Sequence, residues 1–177
     1  AQPVEMDTLD IGNMGDGYTV SMAGCLIEPL FRLDENNQPQ CAGCESYTVS
    51  DAGLVYTFTI RDMTWSNGEP VTAQDFVYSW QRTCDPENAF ENSFLFSYIP
   101  IKNLAAVSAG EMDVSELGVS APDDKTFVVE LDTPCNWLTN YLSGCYFGPL
   151  NQEFVESCGD QYALSSETFL TNGPFEL

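Results

Sequence analysis

Residues 65–82 read WSNGEPVTAQDFVYSWQR, and these eighteen residues decide how the rest of the chain is read. Asn67-Gly68 tolerates positive φ and closes a tight turn, and Pro70 then fixes the direction in which the chain leaves it. Thr72 followed three residues later by Asp75 is a capping box: the hydroxyl serves an orphan backbone N–H, and the carboxylate sits near the positive end of the helix dipole. Phe76, Val77 and Trp80 fall at i, i+1 and i+4, one face of a 3.6-residue repeat, and Asp85-Pro86 stops the run because proline lacks a donor and restricts its predecessor. The stretch therefore predicts a turn feeding a capped, half-buried helix whose Phe76 and Trp80 belong to a core. It holds no histidine, no cysteine nucleophile and no phosphate-cradling glycine loop, so it specifies architecture rather than chemistry.

Working outward, 46–50, 51–53 and 54–61 read as strand, turn and strand, with Tyr56, Phe58 and Ile60 alternating with Val55, Thr57 and Thr59 to give one aromatic buried face. Downstream, Phe94, Leu95 and Tyr98 predict a short amphipathic segment, and 103–109 predicts a second one stopped by Gly110. Asp123-Asp124-Lys125 turns the chain into a strand over 126–131, ended by Thr133-Pro134. Residues 136–142 read as helical and 146–150 as extended, and Asn151 caps a helix through Ser157 that Gly159 releases. Toward the start, TLDI (8–11) leads into the glycine-rich loop 12–17. A helix is expected over 18–30, bounded by Pro29, with a strand at 31–33 and a turn at 34–37. That turn lacks the glycine and terminal glutamate of a calcium-binding EF-hand loop. The last residues, 171–177 (TNGPFEL), read as an ongoing strand. Helices mixed with strands of this kind indicate an α/β class with mixed sheets.

Composition narrows the function classes. The 177 residues suffice for one good core or one and a half domains, and 44% hydrophobic content with no apolar run of eighteen argues for a globular chain that does not cross a membrane. Five basic against 27 acidic residues give a net charge of −22. That charge repels phosphate backbones and anionic lipid, so neither nucleic acid nor direct electrostatic membrane binding is expected. The opening AQPVEMDTLD has neither a basic nor an apolar leader region, so the chain is expected to be cytosolic or to begin after a removed leader. Seven cysteines are an odd number, which in an oxidising compartment leaves at least one free or paired outside the chain. Cys41-x-x-Cys44 lacks histidine, a second such pair and a preceding βαβ unit. It therefore reads as loop cysteines, disulfide-forming or left reduced in an anaerobe, rather than as a zinc half-site or a thioredoxin-like centre.

Residues 65–82 also resemble a signature of the family 5 extracellular solute-binding proteins, the oligopeptide-binding components of ABC importers. They match its W-S-[ND]-G-x-P-V-T-A-x-D-F-V-Y-S-W-x-R pattern at nearly every position. Further similar blocks follow in family order: TLD near the start, Glu28-Pro29-Leu30, Glu45-Ser46-Tyr47, Tyr56 to Arg61, Asp85-Pro86, Leu117-Gly118-Val119, Asp123 to Phe127, and Thr171 to Leu177. The resemblance covers essentially the whole chain. It implies a periplasmic-binding-protein-like type II fold of two lobes around a ligand, with residues 1–27 starting lobe one, 28–150 forming its extra α/β subdomain and 151–177 returning to lobe one. Lobe two would lie outside this chain, which would then be an N-terminal portion of a longer protein.

By the same resemblance the chain is a non-catalytic binding component. It would capture peptides outside the cell, at the membrane face or in the periplasm, and deliver them to ABC permease subunits. It would act as a monomer, with any membrane association through a lipid anchor outside this chain, and with no cofactor and no metal. Peptides in this family are held by strand-like backbone hydrogen bonds with pockets for ends and side chains. The ligand-bordering segment carried over by position is Met14-Gly15-Asp16-Gly17-Tyr18, whose glycines allow close backbone approach. Asn92 falls near a position where relatives place a ligand-facing aromatic; asparagine departs from that pattern, and Phe90 or Phe94 stands close enough in sequence to substitute. Relatives take dipeptides, oligopeptides, nickel chelates or oligosaccharides. The rival from another class, a secreted hydrolase using paired carboxylates, finds no spacing among the 27 acids that singles out a pair.

Overall fold

Asp16 starts the first helix of the computed structural model, which describes residues 7–176. Its carboxylate accepts the N–H groups of Tyr18 and Thr19 at 2.9 and 3.0 Å and also the Thr19 hydroxyl, satisfying donors that a helix start leaves unpaired. The helix, α1 (Gly17–Leu26), ends four residues before the expected Leu30, because Ile27 is already extended and Glu28 precedes Pro29, which disfavours helical backbone. Its last carbonyls find outside donors: Arg32 reaches Gly24 O at 3.1 Å, and Gly173 N–H donates to Leu26 O at 2.9 Å.

The strands follow in two groups. β1 (Phe31–Leu33) and β2 (Pro39–Cys41) form a small antiparallel hairpin around the 34–37 turn. β3 (Cys44–Val49) and β4 (Val55–Ile60) form the expected second hairpin, with Gly53 at φ 69 in its turn. α2 (Ala73–Cys84) comes next, after a turn in which Gly68 takes φ 89. Its capping box is formed, and the Asp75 carboxylate accepts Thr72 N–H at 2.7 Å. α3 (Ser93–Phe96) and α4 (Leu104–Ser108) are short; β5 (Val119–Asp123) and β6 (Thr126–Glu130) meet across the Asp123-Asp124-Lys125 turn; α5 (Leu138–Tyr141) and α6 (Gln152–Cys158) complete the elements. The larger sheet has strand order β3-β4-β6-β5, antiparallel throughout.

One face of this sheet is covered by α2. Phe58 and Phe127 stack at 6.1 Å, and Phe76 and Trp80 approach Phe127 at 5.6 and 5.2 Å between ring centroids. Trp80 is fully buried and donates its indole N–H to Phe147 O at 3.2 Å. This aromatic cluster extends from Leu30 to Phe147. A second cluster joins Leu9, Ile11, Met14, Ala23, Leu26 and Ile27 to residues 145–169, including Leu150, Val155, Tyr162 and Phe169. The two ends of the chain thus share a core distinct from that of the middle.

Several expectations need correction. In the 93–98 segment Phe94 and Tyr98 lie outward, 54% and 58% exposed, while Phe96 and Ile99 face the core. β5 had no anticipated counterpart, since an edge strand reading VSAPD carries Pro122 and mostly exposed positions. Residues 145–147 wind into one tight helical turn instead of lying extended, and the helix expected over 136–142 shrinks to Leu138–Tyr141. Residues 171–176 form no strand. Ser66 N–H donates to Thr171 O at 2.8 Å, and the Asn172 side chain bonds Glu28 N–H and carbonyl at 3.0 and 3.1 Å. Residues 171–173 are thus held between the 65–68 turn and the end of α1; Leu177 lies outside the described residues.

Candidate functional site

The loop leading into α1 is built on Asp10. Its backbone carbonyl accepts Asn13 and Met14 N–H at 2.9 and 2.8 Å, and its carboxylate accepts Gly12 N–H at 3.0 Å. The same carboxylate takes a bidentate pair from Arg82, near the end of α2, at 3.0 and 2.8 Å, with the two side chains 15% and 10% exposed. The Arg82 guanidinium also lies over the Phe90 ring at 4.4 Å and near Tyr162 at 5.5 Å. Two fork-like bonds and two aromatic faces suit a planar guanidinium and not a lysine ammonium.

The segment after α2 closes on this loop from the other side. Asn92 is buried, and its amide nitrogen donates both hydrogens, to Ile11 O and Met14 O, each at 2.9 Å. Its backbone N–H donates to Gly12 O at 2.9 Å, and Glu91 N–H reaches the Asn13 side chain at 3.3 Å. Gly12 is required here: a Cβ would sit 2.8 Å from the Phe90 ring. Phe90 is therefore committed beneath Arg82 and against Gly12, whereas Phe94 is exposed.

Between these segments opens a recess of about 410 Å³ lined by Asp7, Thr8, Asn13, Met14, Gly15, Asp16 and Glu91. The segment Met14 to Tyr18 forms one wall with unequal parts. Met14 is 1% exposed and anchors the loop in the core, while Tyr18 is 70% exposed. Gly15 and Gly17 have nothing within 4 Å of where a Cβ would stand, and neither has positive φ. Their lack of a side chain serves neither internal packing nor backbone conformation, so it leaves bare, approachable main chain on the outer surface. Hydrogen bonds, from the Thr19 side chain first and then the Thr19 backbone, hold the Asp16 carboxyl below its ordinary range. With Asp7 and Glu91 the lining carries three carboxylates and no cation, which gives the recess negative potential.

Chemistry of other kinds finds no support among the described residues. No group of three or more His, Cys, Asp or Glu side chains converges as a metal site. All seven cysteines are free thiols. No helix is long and apolar enough to cross a membrane. Sequence reasoning named Asn92 but not its grip on Ile11 and Met14, and it missed Asp10 and Arg82. Arg82 closes the 65–82 signature, and a lone arginine at the end of a helix whose other face is apolar was the one available signal.

Comparison with known proteins gives concordant results. The family model described as bacterial extracellular solute-binding proteins, family 5 middle, matches residues 38–177. A dipeptide-binding protein of Lactococcus lactis subsp. cremoris is 36% identical over 174 residues, covering 98% of this chain and 31% of that protein. Among solved structures, the substrate-binding domain of an oligopeptide ABC transporter from Bacillus anthracis superposes with TM-score 0.93 at 44% identity, covering 98% of this chain and 33% of that one. Listeria monocytogenes OppA bound to peptide superposes equally well, TM-score 0.93 at 38% identity, over 99% of this chain and 34% of the other. The chain spans about a third of the length of the relatives it matches.

Proposed function

This chain belongs to the bacterial extracellular solute-binding proteins of family 5, and from that premise we propose that it forms one part of the ligand cleft of a longer, peptide-capturing component of an ABC importer. The observation that carries the reading is the match, over 99% of the chain at TM-score 0.93, to a relative whose structure holds a peptide. The protein works outside the cell without catalysis. It closes two lobes on its ligand, a population shift driven by the ligand's higher affinity for the closed form, and presents it to the permease.

Residues 1–27 and 151–177 belong to lobe one in this reading, and 28–150 form its extra subdomain. Support comes from the two apolar clusters, one lying within 30–147 and one joining residues 9–27 to 145–169, the latter taking in Cys145 and Leu150 from the end of the middle segment. The ligand-bordering set is Met14, Gly15, Asp16, Gly17, Tyr18 and Asn92. Within it Gly15 offers bare main chain for strand-like pairing, Gly17 opens α1 with no side chain in the way, and Tyr18 offers an exposed ring. Met14 and Asn92 contribute by holding that loop in place, since both are buried.

Isothermal calorimetry on the longer protein with defined dipeptides and oligopeptides tests the reading, together with intact-mass measurement of ligand carried through purification. Saturable binding of one peptide class is expected. Failure to bind any peptide, with another solute recovered from the purified protein, would refute it. The 177-residue chain alone is expected to bind weakly or undetectably, and micromolar binding by it alone would contradict a cleft shared with a second lobe.

A further inference from the structure

Cys41 ends β2 and Cys44 begins β3, with only Ala42-Gly43 between them. Three backbone hydrogen bonds pin this corner to the preceding segment: Ala42 and Cys44 N–H donate to Leu30 O at 3.0 and 3.2 Å, and Gly43 N–H donates to Pro29 O at 2.8 Å. The contact is close enough that a Cβ on Gly43 would stand 2.6 Å from the Pro29 oxygen, so the path of the chain between the cysteines is fixed. Both side chains meet the same apolar cluster, Cys44 as a member of it and Cys41 packed against its edge. Cys44 is fully buried, while Cys41 is half-buried and open to solvent.

Two cysteines three residues apart at a fixed corner, set against one cluster, are placed to meet, whereas a metal would need further ligands that the described residues do not supply. We propose that Cys41 and Cys44 form an oxidisable dithiol, which closes to an intrachain disulfide across the β2–β3 corner when it meets a small-molecule disulfide such as oxidised glutathione. The accessible Cys41 sulfur, as thiolate, attacks one glutathione sulfur. The glutathione S–S bond breaks, a mixed disulfide forms on Cys41, and one glutathione leaves and takes up the proton that Cys41 lost. The Cys44 thiolate then attacks the Cys41 sulfur and displaces the second glutathione, which takes up the Cys44 proton. Two electrons and two hydrogens pass from the protein to glutathione, and one disulfide replaces another. Burial, together with the neighbouring Cys41, pushes the Cys44 thiol well above its ordinary value, so the closing step quickens as pH rises.

The sequence makes the test direct. Trypsin cuts after Arg32 and Arg61, and the peptide 33–61 contains Cys41 and Cys44 and no other cysteine. The protein is equilibrated with oxidised glutathione, denatured in iodoacetamide, digested and weighed. The expected product is peptide 33–61 unalkylated and two hydrogens lighter than its dithiol, returning to two alkylations after dithiothreitol. Recovery of the doubly alkylated peptide after oxidation overturns the proposal. So does a glutathione adduct that never closes, or a cross-link from either residue to a third cysteine. Cys41→Ser, at the accessible position, must retain the native melting profile and leave Cys44 alkylatable. If that variant does not fold, the time course in the unaltered protein decides: a glutathione adduct that precedes closure supports the order of steps, and closure with no dependence on pH overturns it.

Discussion

Arg82 and Asp10 make a buried, bidentate ion pair that ties α2 of the middle core to the loop that enters α1. Arg82→Met keeps most of the side-chain length and removes the charge. Asp10, 10% exposed in its side chain, then loses both guanidinium bonds at 3.0 and 2.8 Å and retains only Gly12 N–H. Breaking one partner of a buried pair costs about 3–5 kcal/mol, because the stranded charge cannot recover its hydration. The lost guanidinium–ring contact with Phe90, at 4.4 Å, adds about 0.5–2 kcal/mol according to how far it is desolvated. For a chain of this size a loss of 3–5 kcal/mol lowers Tm by about 6–20 °C. Equilibrium urea denaturation of Arg82→Met, Asp10→Leu and the double variant measures it. The double variant should lose far less than the sum of the single changes, with a coupling energy of at least about 1.5 kcal/mol. A coupling near zero, or an Arg82→Met midpoint equal to that of the unaltered protein, would refute the claim that this pair joins the two cores.

Three further outcomes are expected. Asn92→Ala strands the Ile11 and Met14 carbonyls and should cost about 2–3 kcal/mol; amide exchange should accelerate at residues 11–14 while the β4–β6 pairing stays protected, and uniform acceleration would contradict a local role. Gly173→Ala places a Cβ 2.6–2.8 Å from the Leu26 and Cys25 backbone, atoms that cannot rotate away. A loss of about 1–3 kcal/mol follows by overpacking, and an unchanged urea midpoint would show that this close approach does not exist in solution. Asp16, held below its ordinary 3.8 by Thr19, should support the start of α1 fully above that pH and lose it as pH falls through its lower folded value. Asp16 carboxyl and Thr19 amide shifts should titrate together by NMR, and Asp16→Asn should abolish the titration of Thr19; a Thr19 shift that still moved in that variant would assign the effect elsewhere.

Legibility from sequence divides along a physical line. α2 and the β3–β4–β6 sheet were readable because each carries a long enough repeat for its phase to be fixed: Phe76, Val77 and Trp80 mark one helical face, and Tyr56, Phe58 and Ile60 one side of a strand. α3 has four residues, too few for a period to choose a face. The expected amphipathic segment of Phe94, Leu95 and Tyr98 therefore left its inner face unspecified, and the buried pair is Phe96 and Ile99. β5 and the 171–176 segment are decided by pairing partners. β5 gains its place from β6, whereas Thr171 and Gly173 bond Ser66 and Leu26 through their main chain and the Asn172 side chain bonds Glu28, which ties 171–173 down outside any ladder. The candidate site is of this second kind. Its shape rests on side chains bonding main-chain atoms, Asn92 to two carbonyls and Asp10 to an N–H group, and such bonds leave no periodic trace. The loop that family resemblance marked beside Asn92, Met14 to Tyr18, owes its openness to Gly15 and Gly17, which have no neighbour for a Cβ to meet. The peptide contact proposed for this loop would use such bareness, and bareness is a property that residue chemistry alone does not advertise.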